Sequence, residues 1–203
     1  HPDMFPTVMA FHQAFREFVA LLPPDGTLLV CGDDPGAAEL ASHAPDGCAI
    51  LKYGLSDPAF DYFADDLSRS NRGGFSAEVY RHGQRVAGLE LQVPGDYNVN
   101  NALATLAVVD RLGLSLSDAT EALAIFRGAG RRFEVLGEAE GVIVVDDYGH
   151  HPTEIRATLR AARQRYPDRR IWAVWQPHTY TRTKTLFDEF AHAFEDADNV
   201  VVT

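Results

Sequence analysis

Two short stretches carry most of the residues that could do chemistry. The first is Asp146-Asp147-Tyr148-Gly149-His150-His151, and the second is Gln176-Pro177-His178-Thr179-Tyr180-Thr181-Arg182. Each follows an apolar run and precedes a helical pattern. In a parallel α/β sheet, ligands gather outside the carboxyl ends of the strands. Two consecutive parallel strands would bring both turns to one rim, with two carboxylates, three histidines, two tyrosines and an arginine on it. Turns this dense in titratable and aromatic groups point to binding or catalysis. A structural alternative stands beside each residue: His151 as the N-cap of a helix opened by Pro152, and Asp146 as an acceptor for backbone amides. Zinc held by His150, His151 and His178 is a further alternative, although adjacent histidines usually diverge.

Three smaller clusters add to this. Arg131-Arg132-Phe133-Glu134 places paired guanidinium groups, which grip polyphosphates through bidentate donors, or else form interdomain salt bridges in an acidic chain. Asn98 and Asn101 stand three apart on one helical face, and their amides suit the donor and acceptor pattern of an adenine edge. Helix capping is the alternative for Asn98. His1 with Asp3 could ligate a divalent cation. Lys52 and Lys184 are the only lysines, and no G-x-x-x-x-G-K-[ST] loop is present to cradle the β- and γ-phosphates of a nucleotide.

The elements that must position these groups follow from periodicity. Val8, Phe11, Phe15, Phe18 and Leu22 predict a helix over 6–22, ended by Pro23-Pro24. Strands are expected at 27–31 and 48–53 around a helix at 36–43, an α/β order. The alternating runs 75–81 and 85–93 around His82-Gly83-Gln84 predict an antiparallel hairpin. Helices are expected at 98–112 and 116–126. The glycine-rich stretch 127–130 is the best boundary, dividing the chain into 1–128 and 129–203. Beyond it, strands at 142–145, 171–175 and 200–202 alternate with helices opened by Pro152 and marked by Leu186, Phe187, Phe190 and Phe194. That order predicts a parallel sheet with right-handed crossovers.

Composition narrows the partners. The net charge of -11, from 18 Lys and Arg against 29 Asp and Glu, is unfavourable for a polyanion, so no nucleic-acid partner is expected. No apolar run reaches the ~20 residues of a membrane span and no signal peptide is visible. Cys31 and Cys48 form no Cys-x-x-Cys pair and suit a reducing compartment, so a cytoplasmic location is expected. A start at His1 and an end on an apolar strand suggest a piece of a longer protein. Such a sheet would leave an edge open to self-association.

The strings DDYGHHPTEI (Asp146 to Ile155) and WQPHTYTRTKTLFDEF (Trp175 to Phe190) resemble the Mur ligases. PGDYNVNNALA (Pro94 to Ala104) is similar to that family's central-domain P-G-x-H-N-x-x-N-A motif. GAGRRFEVLGE (Gly128 to Glu138) is similar to the segment joining its central and C-terminal domains, and His1-Pro2-Asp3 to the end of its metal-binding D-H-x-D motif. The resemblance runs from end to end. It implies an α/β chain in which 1–128 is the later part of a P-loop ATPase-like central domain. Residues 129–203 would be the first half of a Rossmann-like C-terminal domain, with the phosphate loop and a UDP-binding domain lying before His1.

The implied activity is ATP-dependent joining of L-alanine to UDP-N-acetylmuramate in peptidoglycan precursor synthesis. The lactyl carboxylate takes the γ-phosphoryl group of ATP, and the amine then displaces phosphate from the acyl phosphate, with Mg²⁺ and arginines neutralising the developing charge. Carried over by position, His1 would bind Mg²⁺, while Asn98 and Asn101 would approach the adenine. Arg132 would reach the nucleotide phosphates, and Asp147 would face the nucleotide. Tyr148, His150 and Arg182 would line the alanine and muramoyl pocket, with His150, Arg182 and Arg132 as the catalytic set. Tyr97 departs from the family's histidine, and Thr179 stands where some members have a second arginine. The 203 residues alone are expected to be inactive. The alternatives are a muropeptide-recycling ligase that adds a tripeptide, a Rossmann-like binding module without catalysis, and a metal hydrolase on the histidine cluster.

Overall fold

The computed structural model describes residues 4–203. The first unit is built on one mixed sheet. Strands β1 (Thr27–Cys31) and β2 (Ala49–Gly54) pair in parallel, with Thr27 opposite Ala49. Their crossover is α2 (Pro35–Glu39), continued by a 3-10 turn at Leu40–His43. Asp34 starts that helix by accepting the Ala37 amide at 2.8 Å. Helix α1 (Val8–Val19) precedes them, and Thr7 caps it.

Strand β3 (Tyr62–Arg69) joins β2 in parallel, then β4 (Phe75–Arg81) and β5 (Gln84–Glu90) follow antiparallel, giving the order β1-β2-β3-β4-β5. The expected hairpin at 75–93 is β4–β5. Strand β3 was not expected, because only its first three residues are buried and the rest is exposed and largely charged or polar, so no alternation shows. Helix α3 (Tyr97–Arg111) lies on this sheet, and α4 (Leu116–Ile125) follows it. Val99, Ala102, Leu103, Leu106 and Ala107 form its buried stripe and pack on Tyr62, Ala64, Val79 and Leu91. Full burial of Leu103 and Leu106 contributes roughly 1.5–3 kcal/mol each.

The second unit holds β6 (Glu134–Ala139), β7 (Val142–Asp146), α5 (Pro152–Arg165), β8 (Trp172–Trp175), α6 (Tyr180–Thr185), α7 (Phe187–Ala191) and β9 (Asn199–Val202). The parallel pairing expected across all three apolar strands runs only between β8 and β9, and β7 pairs antiparallel with β6 instead. Glu140 and Gly141 both take positive φ, 50° and 79°, which is the tight hairpin turn that lets β6 fold back on β7. All six residues of β6 are exposed, so it carries no hydrophobic period to read. Between β7 and β8 lies a cavity of about 580 Å³ walled by Val142, Val145, Trp172 and Val174, with Ile155 and Leu159 of α5 also lining it. The helix marked by Leu186, Phe187, Phe190 and Phe194 is the short α7, and a further short helix, α6, precedes it, the two meeting at Leu186. A small core of Ile155, Leu159, Phe190 and Ala193 holds this unit, with Trp175 stacked on Phe190 at 4.7 Å. No described helix is long and apolar enough to cross a membrane.

One polar network ties α3 to the sheet. The Asp110 carboxylate accepts the Tyr62 hydroxyl and both Arg81 contacts at 2.8 Å. The Tyr62 bond leads in holding the Asp110 carboxyl below its ordinary value against the opposing effect of burial, and Arg81 adds to it. A depressed carboxyl stabilises the fold above the ordinary carboxylate range and loses that contribution as pH falls toward the folded-state value. Asp110→Asn is expected to lower the urea midpoint near pH 7 by an amount equivalent to about 1 kcal/mol. The gap from the parent should narrow by pH 3, which urea titrations at the two pH values would measure.

Candidate functional site

The stretch between α4 and β6 is where the two units meet. Arg131 and Phe133 adopt positive φ, 58° and 49°, a region costly for side chains of this size. The carboxylate of Asp147 holds them there. Its Oδ2 accepts the Phe133 amide at 2.8 Å and its Oδ1 accepts the Gly149 amide at 2.7 Å. The Tyr148 amide donates to the Arg131 carbonyl at 2.8 Å, and the Phe133 side chain is buried. One rim turn of the second unit is thereby fastened to the linker.

Across the linker opens a cleft of about 400 Å³, with Asn98, Asn101 and Phe126 on the first unit and Arg132, Asp147 and Glu154 facing them. Asp96, rather than Asn98, caps α3. Asn98 instead donates to the Pro94 carbonyl at 2.7 Å and accepts from Asn101 at 3.1 Å. That pairing fixes both amides on one face, and the exposed Asn101 keeps its carbonyl oxygen and an N–H outside the pair. Tyr97 lines the same cleft; burial pushes its hydroxyl up, and the charge of Asp147 adds to that.

Glu154 supplies the opposite wall. It accepts the amides of His150 at 2.9 Å and His151 at 3.1 Å, while His151 accepts the Thr153 amide, so the pair forms a capping box for α5. The N-cap role considered for His151 is therefore what the structure has. Burial pushes the Glu154 carboxyl up, but the His150 and His151 amides with His150 and Arg132 hold it below its ordinary value. Arg132 Nη1 lies 3.9 Å from Glu154, and Arg131 pairs with Asp146 at 3.3 Å and stacks on Tyr148 at 4.7 Å. Tyr148 in turn meets His150 edge-on at 5.1 Å. It is thus Asp147, and not Asp146, that binds backbone amides.

The second rim turn holds Arg182, which is only 6% exposed and donates to the His178 carbonyl at 2.9 Å. The two turns adjoin: burial lowers the His151 pKa, Glu154 and Glu189 oppose this, and the charge of Arg182 adds to the lowering. Asn98, Asn101, Arg132 and Asp147 therefore share one cleft. Tyr148 lies against the linker arginines beside it, with His150 edge-on to its ring, and Arg182 is buried at the second turn. His1 lies outside the described residues. Among the described residues no three His, Cys, Asp or Glu groups are placed to hold a metal ion, the three histidines of the turns included. Glu154 went unassigned in the sequence, although the His-x-x-Glu spacing of a capping box was there to find it. Chemically, the cleft offers fixed amides for a flat polar edge, a guanidinium for anionic groups and a carboxylate for hydroxyls.

Two domain patterns match this sequence: the Mur ligase middle domain over residues 1–109, and the Mur ligase glutamate ligase domain over residues 131–203. The chain is 42% identical over all its 203 residues to the UDP-N-acetylmuramate–L-alanine ligase of Caldanaerobacter subterraneus and covers 43% of that protein. It superposes with a TM-score of 0.76 on the crystal structure of the UDP-N-acetylmuramate–alanine ligase of Thermotoga maritima, at 32% identity, covering 100% of this chain and 43% of that one. A murein peptide ligase of Psychrobacter arcticus follows at 27% identity and a TM-score of 0.67, with 94% of this chain and 40% of that one covered. The chain thus spans less than half the length of these relatives. With the middle-domain pattern alone spanning more than half of the residues, on a fold of the same kind, the chain belongs to the Mur ligase family.

Proposed function

We propose that this chain is the nucleotide-facing part of a ligase that couples ATP cleavage to amide-bond formation between UDP-N-acetylmuramate and L-alanine. Residues 1–128 would supply the later part of the central domain and 129–203 the first half of the C-terminal one. The observation that carries this reading is the single cleft joining Asn98 and Asn101 to Arg132 and Asp147, within a chain of this family.

In this reading the paired asparagine amides take the adenine edge and Arg132 reaches toward the phosphates. Asp147, whose carboxylate has lone pairs beyond the two that hold the linker, faces the sugar. Tyr148 and His150 border the adjoining acceptor side, and the buried Arg182 would turn to it when the amino acid binds. The Mg²⁺ position that the family resemblance implies falls on His1, outside the described residues. Family members use carboxylate activation because an oxide ion is too poor a leaving group for direct attack by an amine. In that scheme Arg132 and Arg182 would neutralise charge on the transferring phosphoryl group and on the amino-acid carboxylate.

A second reading, addition of a recovered tripeptide to the same nucleotide sugar, is favoured by the likeness to a murein peptide ligase. ADP release by a full-length protein carrying this segment separates them: turnover with UDP-N-acetylmuramate and L-alanine is expected, and turnover only with tripeptide would replace the first reading by the second. In that protein, Asn101→Ala should raise the KM for ATP severalfold and Arg132→Ala about tenfold, since a hydrogen bond to a charged group is worth more than one to a neutral adenine edge. Unchanged KM values would remove the nucleotide from this cleft. For the 203 residues alone, calorimetry with ATP and Mg²⁺ should give weak or undetectable heat.

Arg182→Ala is expected to raise the KM for L-alanine by on the order of tenfold or more while leaving that for ATP near the parent value. An unaltered alanine KM would take Arg182 out of the pocket. Val142, Val144, Trp172 and Val174 are exposed beside unpaired strand edges, so the 203-residue chain should self-associate. A concentration-independent monomer in sedimentation velocity would contradict that.

A further inference from the structure

Helix α5 runs from the linker cleft to the β3–β4 turn of the first unit. Its 14 residues span roughly 21 Å. Glu154, Ala157 and Thr158, in its first half, line the cleft. Its last residue, Arg165, makes contacts of a different kind. Nη1 donates to the carbonyls of Gly73 and Gln92, both at 3.0 Å, and Nε donates to the Tyr166 hydroxyl at 3.0 Å. A cation at a helix C-terminus ordinarily serves the helix's own last carbonyls. Arg165 instead spends its guanidinium on the β3–β4 turn and the segment after β5, both in the first unit.

The seat is shaped for it. Gly73 has φ +99°, and a Cβ there would stand 2.5 Å from Arg165 Nη1. A second tie between α5 and the first unit is Arg160 to Asp96 at 3.3 Å, and Asp96 caps the helix that carries Asn98 and Asn101. Arg160 is 64% exposed, and an ion pair that open contributes little. Charge-assisted bonds to two backbone carbonyls in a half-buried seat are the stronger tie.

We propose that Arg165 is a positioning residue for the cleft. Anchored on Gly73 and Gln92, it fixes the far end of α5, and with it the separation of the Asn98–Asn101 wall from the Glu154–Asp147 wall. Without this anchor α5 pivots on the linker, and the cleft loses its set width. Only the kinetic consequence rests on the nucleotide reading above.

Hydrogen exchange on the 203-residue chain tests the anchor without any ligand. In Arg165→Ala, amides of 128–133 and 150–158 should exchange on the order of tenfold faster, while those of β4 stay at the parent rate. Gly73→Ala, which blocks the seat from the opposite side, should do the same. Arg165→Lys, with a single point charge in place of the fork, should fall between parent and Arg165→Ala. An unchanged linker in both Arg165→Ala and Gly73→Ala overturns the proposal, as does loosening of β4 to the same extent as the linker. In a full-length protein, Arg165→Ala should raise the KM for ATP severalfold with kcat little altered. Faster linker exchange without that rise would uphold the anchor and count against the nucleotide in this cleft.

Discussion

The two oxygens of Asp147 carry a constraint on which the candidate site depends. By accepting the amides of Phe133 and Gly149, they bind the start of β6 to the turn after β7, and so bind the linker to the second unit. Arg131 and Phe133 would not hold positive φ unaided, at a cost of about 1–3 kcal/mol each. Buried Phe133 and the bond from the Tyr148 amide to the Arg131 carbonyl help offset that cost. The result is that Arg131 and Arg132 leave the linker in defined directions, one toward Asp146 and Tyr148, the other toward Glu154 and the cleft.

The cleft has walls of unequal rigidity. The asparagine wall belongs to α3, whose apolar stripe is fully packed on the five-stranded sheet and whose last turn is tied down by Tyr62, Asp110 and Arg81. The opposite wall belongs to α5, held by a core of four buried residues and by polar contacts at its two ends. Motion in such a molecule concentrates where buried apolar contacts are few. It is therefore the α5 wall, and the linker with it, whose placement depends on single charged side chains.

Much of the organisation was legible in the sequence because it follows local rules. The stripe Val99, Ala102, Leu103, Leu106 and Ala107 announces α3, and the alternation over 75–93 announces the β4–β5 hairpin. The turns rich in His, Asp and Tyr stood out from composition alone. Strands β3 and β6 were not legible: β3 is exposed over its second half and β6 throughout, and an exposed strand owes its existence to its neighbour's hydrogen bonds rather than to a hydrophobic period. Expecting β7 to pair with β8 failed for the same reason, since β7 found a closer partner through the two-residue turn at Glu140-Gly141.

By itself the sequence determined which residue types stand at each turn, which faces of α3 and α5 are apolar, and that the chain alternates strands and helices, because all of these depend on chemistry within a few positions. Only the tertiary structure decided which groups meet. Asp147 accepts the Phe133 amide, Asp110 meets Tyr62 and Arg81, and Arg165 reaches carbonyls 92 and 73 residues before it in the chain. Those pairings join positions far apart in sequence, and no local preference encodes them; they arise when two packed units leave polar groups within reach of each other and out of reach of water.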